Sequence, residues 1–260
     1  MQFWGSKFAV DWLEGLGRFS LLAKEAVYSL FTLHLRWEDF LFHLYFIGLK
    51  SRAVVLITGA FTGMVLCAQT YFQFHKVKLD TATLAVVSVS MCSELGPVLT
   101  ALMVTGRAGA AMAAEIGTMK VTEQIDALRT LATHPVDYLV TPRLLACVIA
   151  LPLLTAQSIF IGILSGYLVA VGLLGIDPAY VYYNMLKHTM GIDVAVGLIK
   201  GFMFGGILSI IGCYKGMTCG EGSQGVGRAT TEAVVFASIT ILIVNFFLTL
   251  TLNKLFNLYG

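Results

Sequence analysis

Glu94 is a charged side chain where charge is costly. It lies in "SMCSELGPVLTALMVTGRAG", residues 90–109, a stretch apolar enough to enter a bilayer, and Gly96-Pro97 follows almost at once. A carboxylate midway along a membrane span costs a few kcal/mol even on lenient insertion scales, so it is expected to face a cavity or a partner group. Pro97 has no N–H and crowds the carbonyl four residues back, that of Ser93, so a local helix break is expected there. Irregular backbone at membrane depth is tolerated where it lines a cavity or is buried in protein. Together these features predict a polar pocket shaped by Glu94 and the Gly-Pro pair; the alternative is a structural hydrogen bond to a neighbouring helix. Lys200, in "GLIKGF", is a second charge inside an apolar run. Its candidate partners are Glu94, Asp193 and a lipid headgroup, or it snorkels to the interface.

Other chemistries lack their residues. There is no G-x-x-x-x-G-K-[ST] phosphate loop and no H-E-x-x-H metal motif. The histidines (34, 43, 75, 134 and 188) are dispersed. Ser165 in "ILSG" lacks the preceding glycine of a nucleophile elbow. The cysteines (67, 92, 147, 213 and 219) form no C-x-x-C pair and read as small hydrophobes. No metal and no enzymatic activity is expected of this chain, and its net charge of +2 gives no basis for a nucleic-acid partner.

The elements that must carry Glu94 and Lys200 are membrane helices. Of the 260 residues 57% are hydrophobic and only 12% charged, against about a quarter charged in an ordinary soluble domain. A span needs about 20 mainly apolar residues. Five stretches qualify, near 53–74, 83–106, 144–172, 191–214 and 232–253. The run at 40–49 is too short to span alone and reads as the end of a surface helix or an extension of the first span. Residues 1–25 carry too many charges for a signal peptide. Phe8, Trp12, Leu16 and Phe19 recur at helical spacing, which predicts an interfacial amphipathic helix. Lys and Arg before the first span, between the second and third, and between the fourth and fifth number twelve, against four on the opposite side. The positive-inside rule then places the N-terminus in the cytoplasm and the C-terminus outside. Glycines recur every four residues at 59/63, 162/166 and 197/201/205, which lets helices approach closely, within one bundle or between subunits.

Two connections stand out. Residues 122–133 read as a short amphipathic helix, with Thr122 as cap, Glu123 and Asp126 in the first turn, and His134-Pro135 as the stop. Val121, Ile125, Leu128 and Leu131/Ala132 share one face. Such a helix suits a soluble partner's groove or rests on the protein's own surface. Residues 214–235 hold five glycines and are expected to form a hinge or a packed loop.

In order, "ELGPV" (94–98), "GRAG" (106–109), "AEIG" (114–117), "TEQI" (122–125), Pro135, "TPR" (141–143) and "GVGRATTEAVV" (225–235) resemble the MlaE/YrbE family of lipid-transporter permeases, as does "GAFTGMVL" (59–66). The resemblance covers about 50–256. It implies an all-α integral membrane protein: an N-terminal interfacial region over 1–50, then a five-helix permease domain over 51–260. It implies a homodimer in the bacterial inner membrane with a lipid cavity between subunits. On this reading Met64, Ser93, Glu94, Leu95 and Pro97 border that cavity. It implies a cytoplasmic ABC ATPase docked on the coupling helix through Thr122, Glu123, Gln124, Asp126, Leu128 and Arg129, with ATP and magnesium held by that partner and no cofactor in this chain. An MCE-domain substrate-binding protein and a small STAS-type accessory subunit complete the assembly. It would move phospholipid or a related lipid between inner and outer membranes and sustain outer-membrane asymmetry. The family's arginine before the glutamate is Ser93 here. If Lys200 pairs elsewhere, Glu94 is a lone carboxylate, expected to hold its proton and donate a hydrogen bond.

Two rival readings use the same residues. A proton-coupled secondary transporter would titrate Glu94, and predicts internal repeats that the sequence does not display. A structural anchor subunit would tolerate loss of Glu94.

Overall fold

The computed structural model describes residues 17–29 and 37–256. The predicted interfacial positions Phe8, Trp12 and Leu16 lie outside the described residues. Residues 17–29 are helical (α1). Five helices are long and apolar enough to cross a bilayer: α2 (Trp37–His75), α3 (Asp80–Val121), α5 (Val136–Gly172), α7 (Gly191–Met217) and α8 (Gly222–Leu255). Two short helices lie between them, α4 (Gln124–Thr130) and α6 (Pro178–His188). No strand occurs among the described residues, as an all-α integral membrane protein requires.

The run at 40–49 proves to be an extension of the first span, joined to it through a π-turn at Tyr45–Leu49. The glycine-rich 214–235 stretch is not a long loop. α7 runs to Met217 and α8 starts at Gly222, so the turn is only 218–221. Gly225 explains the tight corner, because a Cβ there would strike the Gly220 carbonyl. Glycine's weak helix propensity is overridden by that close approach.

α5 and α7 form the middle of the bundle, each half buried over its apolar window, whereas the values for α2 and α8 are 22% and 17%. α5 packs between α2 and α7, and α8 covers α7 and part of α3. The glycine faces do intramolecular work. A Cβ at Gly63 would enter the backbone of Gly162 across α2 and α5, and one at Gly197 would strike the Cys92 carbonyl across α7 and α3. Two helices that touch backbone to backbone maximise dispersion contacts where lipid removes the hydrophobic drive.

The connections sort into two ends. α1, α4 and the 218–221 turn lie at the end rich in Lys and Arg, and 76–82 with α6 lie at the far end. α1 rests on the protein at the basic end. Ala26 joins the cluster of Ile116, Ile125, Leu139 and Leu144, and buried Ser29 accepts a hydrogen bond from Thr141 at 2.9 Å.

Candidate functional site

The helix does not break at Pro97. Met91–Leu95 form a single π-turn, and Gly96–Val104 then continue as regular α-helix with proline in the first turn. The Gly96 N–H reaches back five residues to the Met91 carbonyl, and a Cβ at 96 would strike that same carbonyl. Proline supplies no N–H, so the Ser93 carbonyl receives nothing from Pro97. Its donor comes from another helix: Lys200 Nζ lies 2.8 Å from Ser93 O. The close α3–α7 contact at Gly197 brings Lys200, one turn further along, to this carbonyl.

Lys200 is fully buried and also donates to Glu94 Oε1 at 2.7 Å and Thr249 Oγ1 at 2.8 Å. Three acceptors therefore take up the three N–H groups of one ammonium. Glu94 Oε1 further accepts from Thr249 Oγ1 at 2.9 Å, and Oε2 accepts from Asn245 Nδ2 at 3.1 Å. The Glu94 side chain keeps 37% of its surface open, against 0% for Lys200. Glu94 therefore does not stand without a cation: of the candidate partners of Lys200, it is the one engaged. Serine at 93 removes a cation from α3, and α7 supplies one instead. Asp193 is engaged elsewhere, accepting from the Met190 backbone N–H at 2.8 Å at the start of α7.

On the side of α3 that meets α2, Leu95 faces an open apolar groove of about 410 Å³ with Phe61, Thr62, Val65, Leu66 and Gln69 of α2, and Glu94 is not among its lining residues. Met64 turns from that groove to pack with the Met91 and Leu84 cluster, and Pro97 is buried. A wider depression of about 600 Å³ opens at the basic end, lined by residues of the 218–221 turn and the start of α8. Its charges balance in number, two cations against two carboxylates: Lys215 and Arg228 each lie 2.8 Å from Glu232, and Glu221 lines the same depression.

The 122–133 region is shorter than expected, with α4 spanning seven residues. Thr122 does not cap it. Its hydroxyl donates to Thr118 O at 2.8 Å and closes α3, while Glu123 precedes α4 in the left-handed conformation with φ of 58°. A second left-handed residue, Ala132, follows α4. Ile125 is buried and Leu128 half-buried against the α1 and α5 cluster, whereas Leu131 is 74% exposed. The expected apolar face thus splits, partly held by the protein and partly open. Glu123, Gln124, Asp126 and Arg129 are exposed, with Asp126 and Arg129 paired at 3.0 Å.

A family model described as "Permease MlaE" matches residues 40–251. The chain belongs to the MlaE permease family. It is 45% identical over 94% of both chains to a "probable ABC transporter permease protein" of Rickettsia conorii. It is 46% identical to one of Synechocystis over 78% of this chain and 77% of the relative. It is 34% identical over 94% of both chains to the "intermembrane phospholipid transport system permease protein MlaE" of Haemophilus influenzae.

In this MlaE-family chain, residues of three matched motifs prove to be structural anchors. Arg143 of "TPR" is buried, donates to Leu139 O at 2.7 Å and reaches Glu115 of "AEIG" at 3.1 Å. Arg107 of "GRAG" donates to Ser51 Oγ at 2.8 Å and lies over the Phe46 ring, tying α3 to α2. Asn245 and Thr249 escaped sequence reading. Their signal is two polar groups four residues apart, hence on one face, in an otherwise apolar span.

Proposed function

We propose that this chain is the membrane permease subunit of an ABC transporter that moves phospholipid between the inner and outer membranes and so maintains outer-membrane asymmetry. The observation that supports the reading is a partly open carboxylate, Glu94, held by a charged network from α7 and α8, while the next residue, Leu95, lines an apolar groove against α2. Acyl chains need apolar wall; a headgroup needs a few fixed polar groups. The H. influenzae relative's description supports the same substrate.

In this reading two copies pair in the bacterial inner membrane with the lipid cavity between them, and the basic end faces the cytoplasm. Met64, Ser93 and Pro97 shape the cavity from behind Glu94 and Leu95. A cytoplasmic ATPase, which holds ATP and magnesium, docks on the exposed side of α4 through Glu123, Gln124, Asp126, Arg129 and Leu131, with Thr122 and Leu128 supporting them. An MCE-domain protein receives or delivers lipid at the far end, and a small STAS-type subunit accompanies the ATPase.

The chain's own part in the cycle is mechanical. Ile125 and Leu128 key α4 to α5 and α1. α3 runs from Asp80 to Val121, so a push at α4 is delivered along one helix to Glu94. π-turns at Thr105–Gly109 and Met91–Leu95 widen that helix at two points where its register can adjust.

The test is co-expression with the candidate ATPase and MCE partners, purification in mild detergent, and ATP-dependent lipid transfer between vesicles. A stable permease–ATPase core whose transfer activity falls with Glu94→Ala supports the reading. A chain that purifies alone, with no affinity for the ATPase, overturns it.

A further inference from the structure

We infer that the headgroup subsite at Glu94 selects an ammonium-bearing, zwitterionic phospholipid over anionic ones. The inference rests on the lipid-permease reading above and names the substrate class of that same site.

The argument is a count of donors and acceptors. Lys200 carries three N–H groups, and Ser93 O, Glu94 Oε1 and Thr249 Oγ1 lie in reach of them. Its side chain is fully buried, so no N–H remains for a phosphate oxygen. Glu94 presents the opposite case. Its carboxylate offers about four lone-pair sites; Lys200 addresses Oε1, the one Thr249 hydroxyl proton is shared between Oε1 and Asn245 O, and among the described residues Asn245 alone addresses Oε2. The side chain is 37% exposed, and Oε2 keeps lone pairs that no donor among the described residues takes up.

No second cation on α3 corrects the balance nearby. Arg107, thirteen residues on and tied to Ser51, sits about 20 Å away along the helix. A headgroup arriving at Glu94 meets a carboxylate oxygen, Oε2, with a single donor, in surroundings of low dielectric that make a wrong sign costly. An ammonium group supplies N–H donors and positive charge together. A headgroup whose nearest charge is a bare phosphate finds no free donor there, because the N–H groups of Lys200 are taken up.

The experiment places the full-length chain in nanodiscs of equimolar phosphatidylethanolamine, phosphatidylglycerol and phosphatidic acid with identical acyl chains. Lipid retained on the protein is then counted by native mass spectrometry. A charge-assisted hydrogen bond predicts about tenfold enrichment of phosphatidylethanolamine over either anionic lipid. The double variant Glu94→Gln/Lys200→Met removes both charges and should bring that ratio to within about twofold of the bulk mixture. Glu94→Gln alone, assayed beside it, decides the question if the double variant does not fold. Retained lipid with no preference, or with anionic lipid enriched, overturns the headgroup assignment and leaves the permease reading standing. Enrichment that survives both substitutions removes it from Glu94. No retained lipid of any class overturns the lipid cavity itself, and this inference with it.

Discussion

At Glu94 the penalty of a carboxylate in an apolar span is offset by donors from Lys200, Thr249 and Asn245. The two charges stabilise as a pair, because removing one partner leaves the other uncompensated. Lys200→Met alone is expected to lower the unfolding free energy in mixed micelles by about 3–5 kcal/mol. Adding Glu94→Gln should recover most of that loss, and a double-mutant cycle measures the coupling. Pro97→Ala makes a subtler change. It returns an N–H that competes with Lys200 for Ser93 O, so the helix should persist while lipid transfer falls; circular dichroism and the transfer assay separate the two. Position 93 shows how far the sequence could be read here. The absent arginine and the buried charge of Lys200 were both visible in it, with Glu94 among the lysine's candidate partners; choosing among them required the α3–α7 contact at Gly197, which joins residues 107 positions apart.

The helices obey local rules except where another helix overrules them. Five spans followed from hydropathy alone, because in lipid every backbone group must be satisfied within a helix. The π-turns did not follow, since they depend on which carbonyls find donors on neighbouring helices. Likewise the 218–221 corner looked like a long glycine loop, since composition does not reveal that Gly225 meets Gly220. Gly197→Val should wedge α7 off the Cys92 carbonyl and cost about 1–3 kcal/mol, read as a lower melting temperature in detergent. At α4, Leu131→Asp alters an exposed side chain. It should leave the melting temperature unchanged while cutting ATPase co-purification about tenfold, in keeping with loss of an interface anchor. Ile125→Asp, by contrast, buries a charge and should destabilise the chain itself.

For the molecule as a whole, α2 and α8 leave wide apolar faces uncovered by the other described residues, while α5 and α7 are half buried. A second copy is expected to cover part of those faces, so native mass spectrometry in mild detergent should detect two chains per particle. The Lys200–Glu94 bond has a separate consequence for how the protein is made. Its partners are separated by 106 positions. At roughly 5–20 residues per second of synthesis, Glu94 leaves the ribosome on the order of 5–20 s before its lysine does. Until then α3 holds an uncompensated carboxylate and a carbonyl without its donor. The insertion machinery must shelter that helix in a wet or protein-lined site until α7 emerges. Chains that terminate after α5 should accordingly stay bound to the insertase or be cleared by membrane proteases.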